Sequence, residues 1–129
     1  RCKMILPDTC IWIETLLCTT HGERFRPLLR GGDGLLVPTI VQFELWKWVR
    51  RELSIEEADR AITLTRLGKI LPIGEHIALT AAELSLEHGL AAADAIIYAC
   101  ARMHDAELLT TDAHFEGLPG VRFVKKKSG

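Results

Sequence analysis

The sequence carries no excess of charge: across 129 residues, 16 Lys and Arg face 17 Asp and Glu, a formal net charge of −1. The net charge therefore indicates no nucleic-acid partner, and any such partner has to be argued from local patches. No apolar run approaches the roughly 20 residues of a membrane-spanning helix. No basic segment, apolar stretch and small-residue cleavage site follow one another at the start. From these absences we expect a soluble, cytoplasmic protein without a membrane partner. The four cysteines, Cys2, Cys10, Cys18 and Cys100, contain no C-x-x-C pair, which speaks against a zinc site and against a disulfide framework. Cys10 and Cys100 lie in apolar runs, where a free thiol behaves as a small hydrophobe. There is no internal repeat and no low-complexity segment. A G-x-x-x-x-G-K-[ST] loop and a Rossmann glycine pattern are also missing, which argues against an ordinary phosphate hydrolase of small substrates. Gly31-Gly32-Asp33-Gly34 reads as a turn between elements.

What is present is ordinary globular composition, 48% apolar and 26% charged, in a length that suits one domain. We take residues 4–124 as that domain, with 1–3 and 125–129 as terminal segments; Met4 resembles a natural start. Short apolar runs alternate with helical stretches. Met4–Leu6, Leu35–Val37, Ile70–Ile73, Glu107–Thr110 and Val121–Val124 read as strands. Cys10–Leu17, Glu23–Arg30, Thr39–Glu52, Glu75–His88 and Ala92–Met103 read as helices. Another helix starts at Ser54, where Glu57 three residues on completes a capping-box signature, and Gly89 stands just past the end of the Glu75 helix. Strands separated by helical crossovers pair in parallel. The expectation is an α/β fold with a central, mainly parallel sheet and helices on both faces, whose ligands bind outside the carboxyl ends of the strands.

Four acids stand where acids are awkward. Asp8 and Asp112 each follow a strand, and each could simply cap a turn or helix. Glu44 lies in the helix Thr39–Glu52, which is apolar on nearly every side; an ion pair with Lys47 would contribute only about 0.2–0.5 kcal/mol. Asp94 is the one residue charged at neutral pH in Leu90–Ala101 and could cap a helix starting at Ala95. An apolar helix of this kind is buried, and an unpaired buried carboxylate costs several kcal/mol or keeps its proton. Acids gathered in one cleft stay ionised only if a cation neutralises them, and oxygen-only ligation selects Mg²⁺ or Mn²⁺ over zinc. Mg²⁺ binds through one or two carboxylates and substrate phosphate, which points to phosphodiester chemistry.

Ile5-Leu6-Pro7-Asp8-Thr9-Cys10-Ile11-Trp12-Ile13 resembles the opening motif of PIN-domain nucleases. Glu44 in its apolar helix, Asp94 in Ala-Ala-Asp-Ala-Ile-Ile, and Leu108-Leu109-Thr110-Thr111-Asp112 with Phe115 behind it resemble the other three, in order, over Met4 to Val124. The compact length is most similar to the VapC toxins of bacterial toxin–antitoxin pairs. The resemblance implies a three-layer PIN-like fold and a Mg²⁺-dependent endoribonuclease, with Mn²⁺ as the other candidate ion. It also implies an RNA substrate such as tRNA or ribosomal RNA, a homodimer and a small antitoxin partner. A housekeeping RNA-processing nuclease and a degenerate, non-cleaving RNA- or protein-binding module are the competing readings. Two departures stand out: Pro7 precedes the first acid, and His114 occupies a position where many relatives carry a further acid. His114 could touch a phosphate or a water, or be a bystander.

On this reading Asp8, Glu44 and Asp94 hold one ion, and Asp112 positions a second ion or the attacking water. Thr9 and Thr111 flank the acids and could orient them, or could form local turn bonds. Phosphate contacts fall to Lys47, Arg50 and Arg51, to a group at Arg24, Arg26 and Arg30, and with least weight to Arg122 and Lys125–Lys127. Trp46 and Trp48 exceed what one apolar stripe needs, so we expect one of them to be buried by another chain. The alternative is that both pack on the helix from Ser54.

Overall fold

Helical or 3₁₀ segments separate the apolar strands, and their pairing follows from that. In the computed structural model, which describes residues 4–18, 20–29 and 31–126 (backbone only at 20 and 21), the strands are β1 (Ile5–Pro7), β2 (Gly32–Pro38), β3 (Gly68–Leu71), β4 (Glu107–Thr110) and β5 (Val121–Phe123). They form one sheet in the order β3-β2-β1-β4-β5. Every neighbouring pair is parallel, so the sheet expected to be mainly parallel is wholly so among the described residues. Ile5, Leu6 and Pro7 stand opposite Glu107, Leu108 and Leu109. The chain order reverses between β1 and β4, which opens a crevice at their carboxyl ends.

The helices are α1 (Thr9–Leu16), α2 (Thr20–Glu23), α3 (Thr39–Glu52), α4 (Ile55–Thr65), α5 (Glu75–His88) and α6 (Ala92–Met103). Successive strand residues face opposite sides of a sheet, and the core divides accordingly. Leu6 and Leu108 join the larger cluster with Val41 and Leu45 of α3 and Ile97 of α6. Leu109 joins Ile11 of α1 and Phe25 in a smaller one. Helices thus cover both faces in three layers, and no described helix is long and apolar enough to cross a membrane.

Local chemistry sets the boundaries. The Ser54 hydroxyl accepts from the Glu57 N–H at 3.0 Å, as the capping signature requires, while the Glu57 carboxylate pairs with Arg60 instead of closing the box. Gly89 ends α5 in the left-handed region at φ +68°, where only glycine sits without strain.

Four sequence expectations need correction. The stretch Glu23–Arg30 is not one helix: α2 ends at Glu23, and a 3₁₀ turn at Arg26–Leu28 follows, with Pro27 inside it. Proline lacks the N–H that helix continuation needs. Arg30 lies outside the described residues, as do Arg1–Lys3 and Lys127. Gly32-Asp33-Gly34 is the start of β2 rather than a turn, with Gly32 opposite Gly68. The third strand begins and ends two residues earlier than expected, at Gly68 and Leu71. A Cβ on Gly68 would stand 2.7 Å from the Leu35 carbonyl oxygen, so a residue without a side chain lets β3 lie this close to β2. Finally, α3 is not buried on nearly every side. Val41, Leu45 and Val49 form its one buried stripe, whereas Phe43 and Trp46 are 59% and 37% exposed.

Candidate active site

Each acid reaches the crevice from a different element. Asp8 follows β1 and caps α1: its Oδ1 accepts from the Thr9 N–H at 2.8 Å. Glu44 comes from the middle of α3, where its Oε1 accepts from the Thr9 hydroxyl at 2.7 Å. It is this bond, rather than a pair with Lys47, that the structure gives Glu44; the Lys47 ammonium lies over the Phe43 ring. Asp94 does not cap a helix at Ala95. The helix α6 begins at Ala92, and Asp94 stands in its first turn, where the exposed N–H groups favour negative charge. The middle of α6 is buried, from Ala95 through Ala101 but for Ile96, and both ends open to solvent, with Asp94 at the amino end that faces the crevice. Asp112 caps the 3₁₀ turn at Ala113–Phe115, its Oδ1 accepting from the His114 N–H at 2.9 Å.

All four carboxylates line one cleft of about 370 Å³. Burial pushes the Asp8 carboxyl up to about 6, and the charges of Asp94 and Glu44 add to the rise; hydrogen bonds from Thr110 and Thr9 oppose it. Asp94 is also raised, by burial first and then by Asp112 and Glu44, with His114 acting against. Carboxylates that raise one another in this way are the donor set that a divalent cation relieves. The donors are hard oxygens, so the residues present fit Mg²⁺ or Mn²⁺. One donor atom from each of Asp94, Asp112 and His114 also lies within 4.8 Å of the other two.

The PIN domain family model matches residues 5–121. The chain belongs to the PIN-domain family. Solved structures carry the same architecture at modest identity. A chain of a toxin–antitoxin complex from Klebsiella pneumoniae superposes with a TM-score of 0.79 at 27% identity, over 95% of this chain and 99% of that one. A chain of FitAcB from Neisseria gonorrhoeae does so with a TM-score of 0.66 at 26% identity, over 86% and 89%. VapC20 from Mycobacterium tuberculosis, a sarcin-ricin loop cleaving toxin, shares the fold with a TM-score of 0.70 at 20% identity, over 95% and 98%. No curated protein matches the sequence.

The other residues singled out in this PIN domain fall into two groups. Lys47 and Arg51, on the same stripe of α3 as Glu44, line the cleft, as do Thr9 and Trp48. Arg50 is exposed on α3 outside that lining. Arg24 and Arg26 stand elsewhere: Arg26 pairs with Glu23 at 3.1 Å and reaches the Thr15 carbonyl oxygen at the end of α1. Arg122 pairs with Glu107 at the amino end of β4, away from the crevice, and Lys126 lies 3.9 Å from Glu14. Trp46 donates its indole N–H to Asp59 of α4 at 3.2 Å.

Thr111 does not orient an acid; its hydroxyl donates to the Cys10 sulfur at 3.3 Å. Thr110, absent from the sequence-based set, does. Its fully buried hydroxyl donates to Asp8 Oδ2 at 2.7 Å and accepts from the Asp112 N–H at 2.9 Å, tying the first and last acids together. The available signal was a hydroxyl in the last position of an apolar strand. Cys100 is the buried hydrophobe expected of it, but Cys10 lines the cleft, 3.7 Å from Asp8 Oδ2, with its thiol raised by burial and by the Asp8 charge.

Proposed function

We propose that this PIN domain is a Mg²⁺-dependent endoribonuclease, with Mn²⁺ able to replace Mg²⁺, and the toxin of a cytoplasmic toxin–antitoxin pair. One observation carries the reading: acids from four separate segments line a single cleft at the point where the sheet order reverses. The family supports a nuclease, and the solved toxin–antitoxin relatives support the toxin role. Asp8, Glu44 and Asp94 are assigned to hold the ion, with Asp112 beside them to orient a second ion or the attacking water. A bound divalent ion supplies an activated water and steadies charge on the scissile phosphate. Thr9 and Thr110 hold Glu44 and Asp8 in fixed rotamers through their hydroxyls, an orienting role that metal sites depend on. Lys47 and Arg51 place positive charge on the rim of the same cleft, where it can hold RNA phosphates without reading sequence.

The partner reading has its own support. Beside the acidic cleft, between α1, α3 and α4, lies a more apolar groove of about 560 Å³ that includes Leu17, Leu53, Leu64 and Leu67. Those four leucines are 37–56% exposed. Ile13 and Trp48 line both hollows. An antitoxin segment in the groove would therefore touch the wall of the active site, and Trp48 is the tryptophan we assign to that interface.

The decisive experiment compares the wild type with Asp94→Asn, which keeps the shape and removes the charge. Purified Asp94→Asn should be folded and should lose RNA cleavage in Mg²⁺; cleavage at the wild-type rate would refute the assignment. Growth arrest on expression, relieved by the same substitution, separates a toxin from a housekeeping nuclease.

A further inference from the structure

The acids were expected as ligands from the sequence; the imidazole beside two of them was expected to touch a phosphate or a water, or to be a bystander. The His114 Nδ1 lies 3.1 Å from Asp112 Oδ1 and 3.9 Å from Asp94 Oδ2. An ion about 2.0–2.2 Å from nitrogen and oxygen donors places adjacent donors about 3–3.5 Å apart. The His114–Asp112 separation falls in that range, the His114–Asp94 separation is 0.4 Å beyond it, and all three donor atoms lie within 4.8 Å of one another. The backbone that carries the ring is anchored to the site. The His114 N–H is bonded to Asp112 Oδ1, so the short turn that carries His114 is fixed by the very carboxylate the ring faces.

We propose that His114 is a nitrogen ligand of the cleft, and that the position bounded by Asp94, Asp112 and His114 takes a divalent first-row transition ion more tightly than Mg²⁺. This rests on the reading of the cleft as a cation site. Mg²⁺ demands oxygen donors and gives up its water reluctantly. Imidazole nitrogen suits the later first-row ions, whose affinity for mixed nitrogen and oxygen sites rises along the series from Mn²⁺ to Cu²⁺. Two carboxylates and one imidazole make a site for such an ion, whereas two carboxylates alone discriminate less. His114 thereby sets which ion occupies this part of the cleft.

A different role for His114 gives a different signature. If the ring served only as a cation paired with Asp94 and Asp112, removing it would tighten every cation equally where imidazole is protonated and change neither ion where it is neutral. The side chain is 79% exposed, so substitution leaves the core untouched.

The test is calorimetric titration of metal-free protein with Co²⁺ and with Mg²⁺, at a pH where imidazole is neutral, with the visible spectrum of the Co²⁺ form as a second readout. Wild type should prefer Co²⁺. His114→Ala should weaken Co²⁺ by at least about tenfold, the loss typical for even an indirect supporter of a metal site, shift its visible bands and leave Mg²⁺ affinity unchanged. His114→Asp should lose the preference by weakening Co²⁺ and strengthening Mg²⁺. Equal changes for both ions, or none, would overturn the proposal. Asp94→Asn keeps the two readings apart. If it loses both metals while His114→Ala loses neither, the cleft remains a cation site and His114 is not its ligand. If wild type binds neither ion, both readings fall.

Discussion

Burial holds Asp8 at about 6 against an unfolded value near 3.8, and the sign of its effect on stability follows. Between about pH 4 and pH 6 the folded protein keeps a proton that the unfolded chain has already released. Ionisation of Asp8 therefore erodes stability as pH rises through that window, by on the order of 2–3 kcal/mol in the metal-free protein. Urea unfolding in the presence of a chelator should show wild type losing stability over this range relative to Asp8→Asn, because asparagine caps a helix equally well and has no charge to bury. Added Mg²⁺ should restore the wild type at neutral pH and do little for the variant. Thr110 makes a second residue-scale case. Thr110→Val keeps the shape but leaves Asp8 Oδ2 short of a donor and the Asp112 N–H without its acceptor, a cost of about 1–3 kcal/mol. Metal affinity should drop about 10- to 100-fold. Thr111→Val, which gives up only a bond to the Cys10 sulfur, should change metal affinity far less. A titration of the two variants side by side checks the contrast.

Helix α3 sorts its charges by face. Lys47 and Arg51 follow Glu44 at three and seven residues and share its stripe, and both line the cleft; Arg50 does not. Lys47→Ala and Arg51→Ala should each weaken RNA binding and reduce the magnitude of its logarithmic salt slope by about 1, whereas Arg50→Ala should affect both much less. Binding measured over a series of salt concentrations distinguishes the three. What was legible at this scale depended on whether a signal was local. The acids could be read because a carboxylate among Ala, Ile and Leu is conspicuous within a few residues. The Ser54 and Gly89 boundaries could be read for the same reason. The stretch from Glu23 to Arg30 misled because its apolar and basic spacing resembled a helix, while Pro27 decided the backbone. Thr110 was not legible, since its role needs the β1–β4 register that sets Pro7 opposite Leu109 and so carries Asp8 alongside Thr110. The beginning of β2 was hidden by three glycines within four residues, which signal a turn unless a partner strand is present to pair with them.

Over the whole molecule, the acidic cleft and the apolar groove meet at Ile13 and Trp48. A partner covering the groove alters the surroundings of Trp48 even if it never touches a carboxylate. Leu53→Glu combined with Leu64→Glu places two charges on exposed positions of the groove. The double variant should lose copurification with the antitoxin and the accompanying tryptophan fluorescence change, and keep RNA cleavage. Loss of cleavage with retained antitoxin binding would reverse the assignment of the two hollows.

The position of β1 at the centre of the sheet also has a consequence in time. Asp8 and its hydroxyl donor Thr110 are 102 residues apart, so on the ribosome the first acid emerges long before the group that orients it. At roughly 5–20 residues per second, that gap lasts about 5–20 s. Every residue lining the apolar groove lies between Ile13 and Leu67, and is synthesised before Asp94 and Asp112 exist. On the proposed function, the order of translation offers the docking surface first and the cutting machinery last. A nuclease of this kind would have no complete set of acids with which to attack the RNA of the ribosome making it, and an antitoxin already in the cell would meet its surface before there was an activity to inhibit.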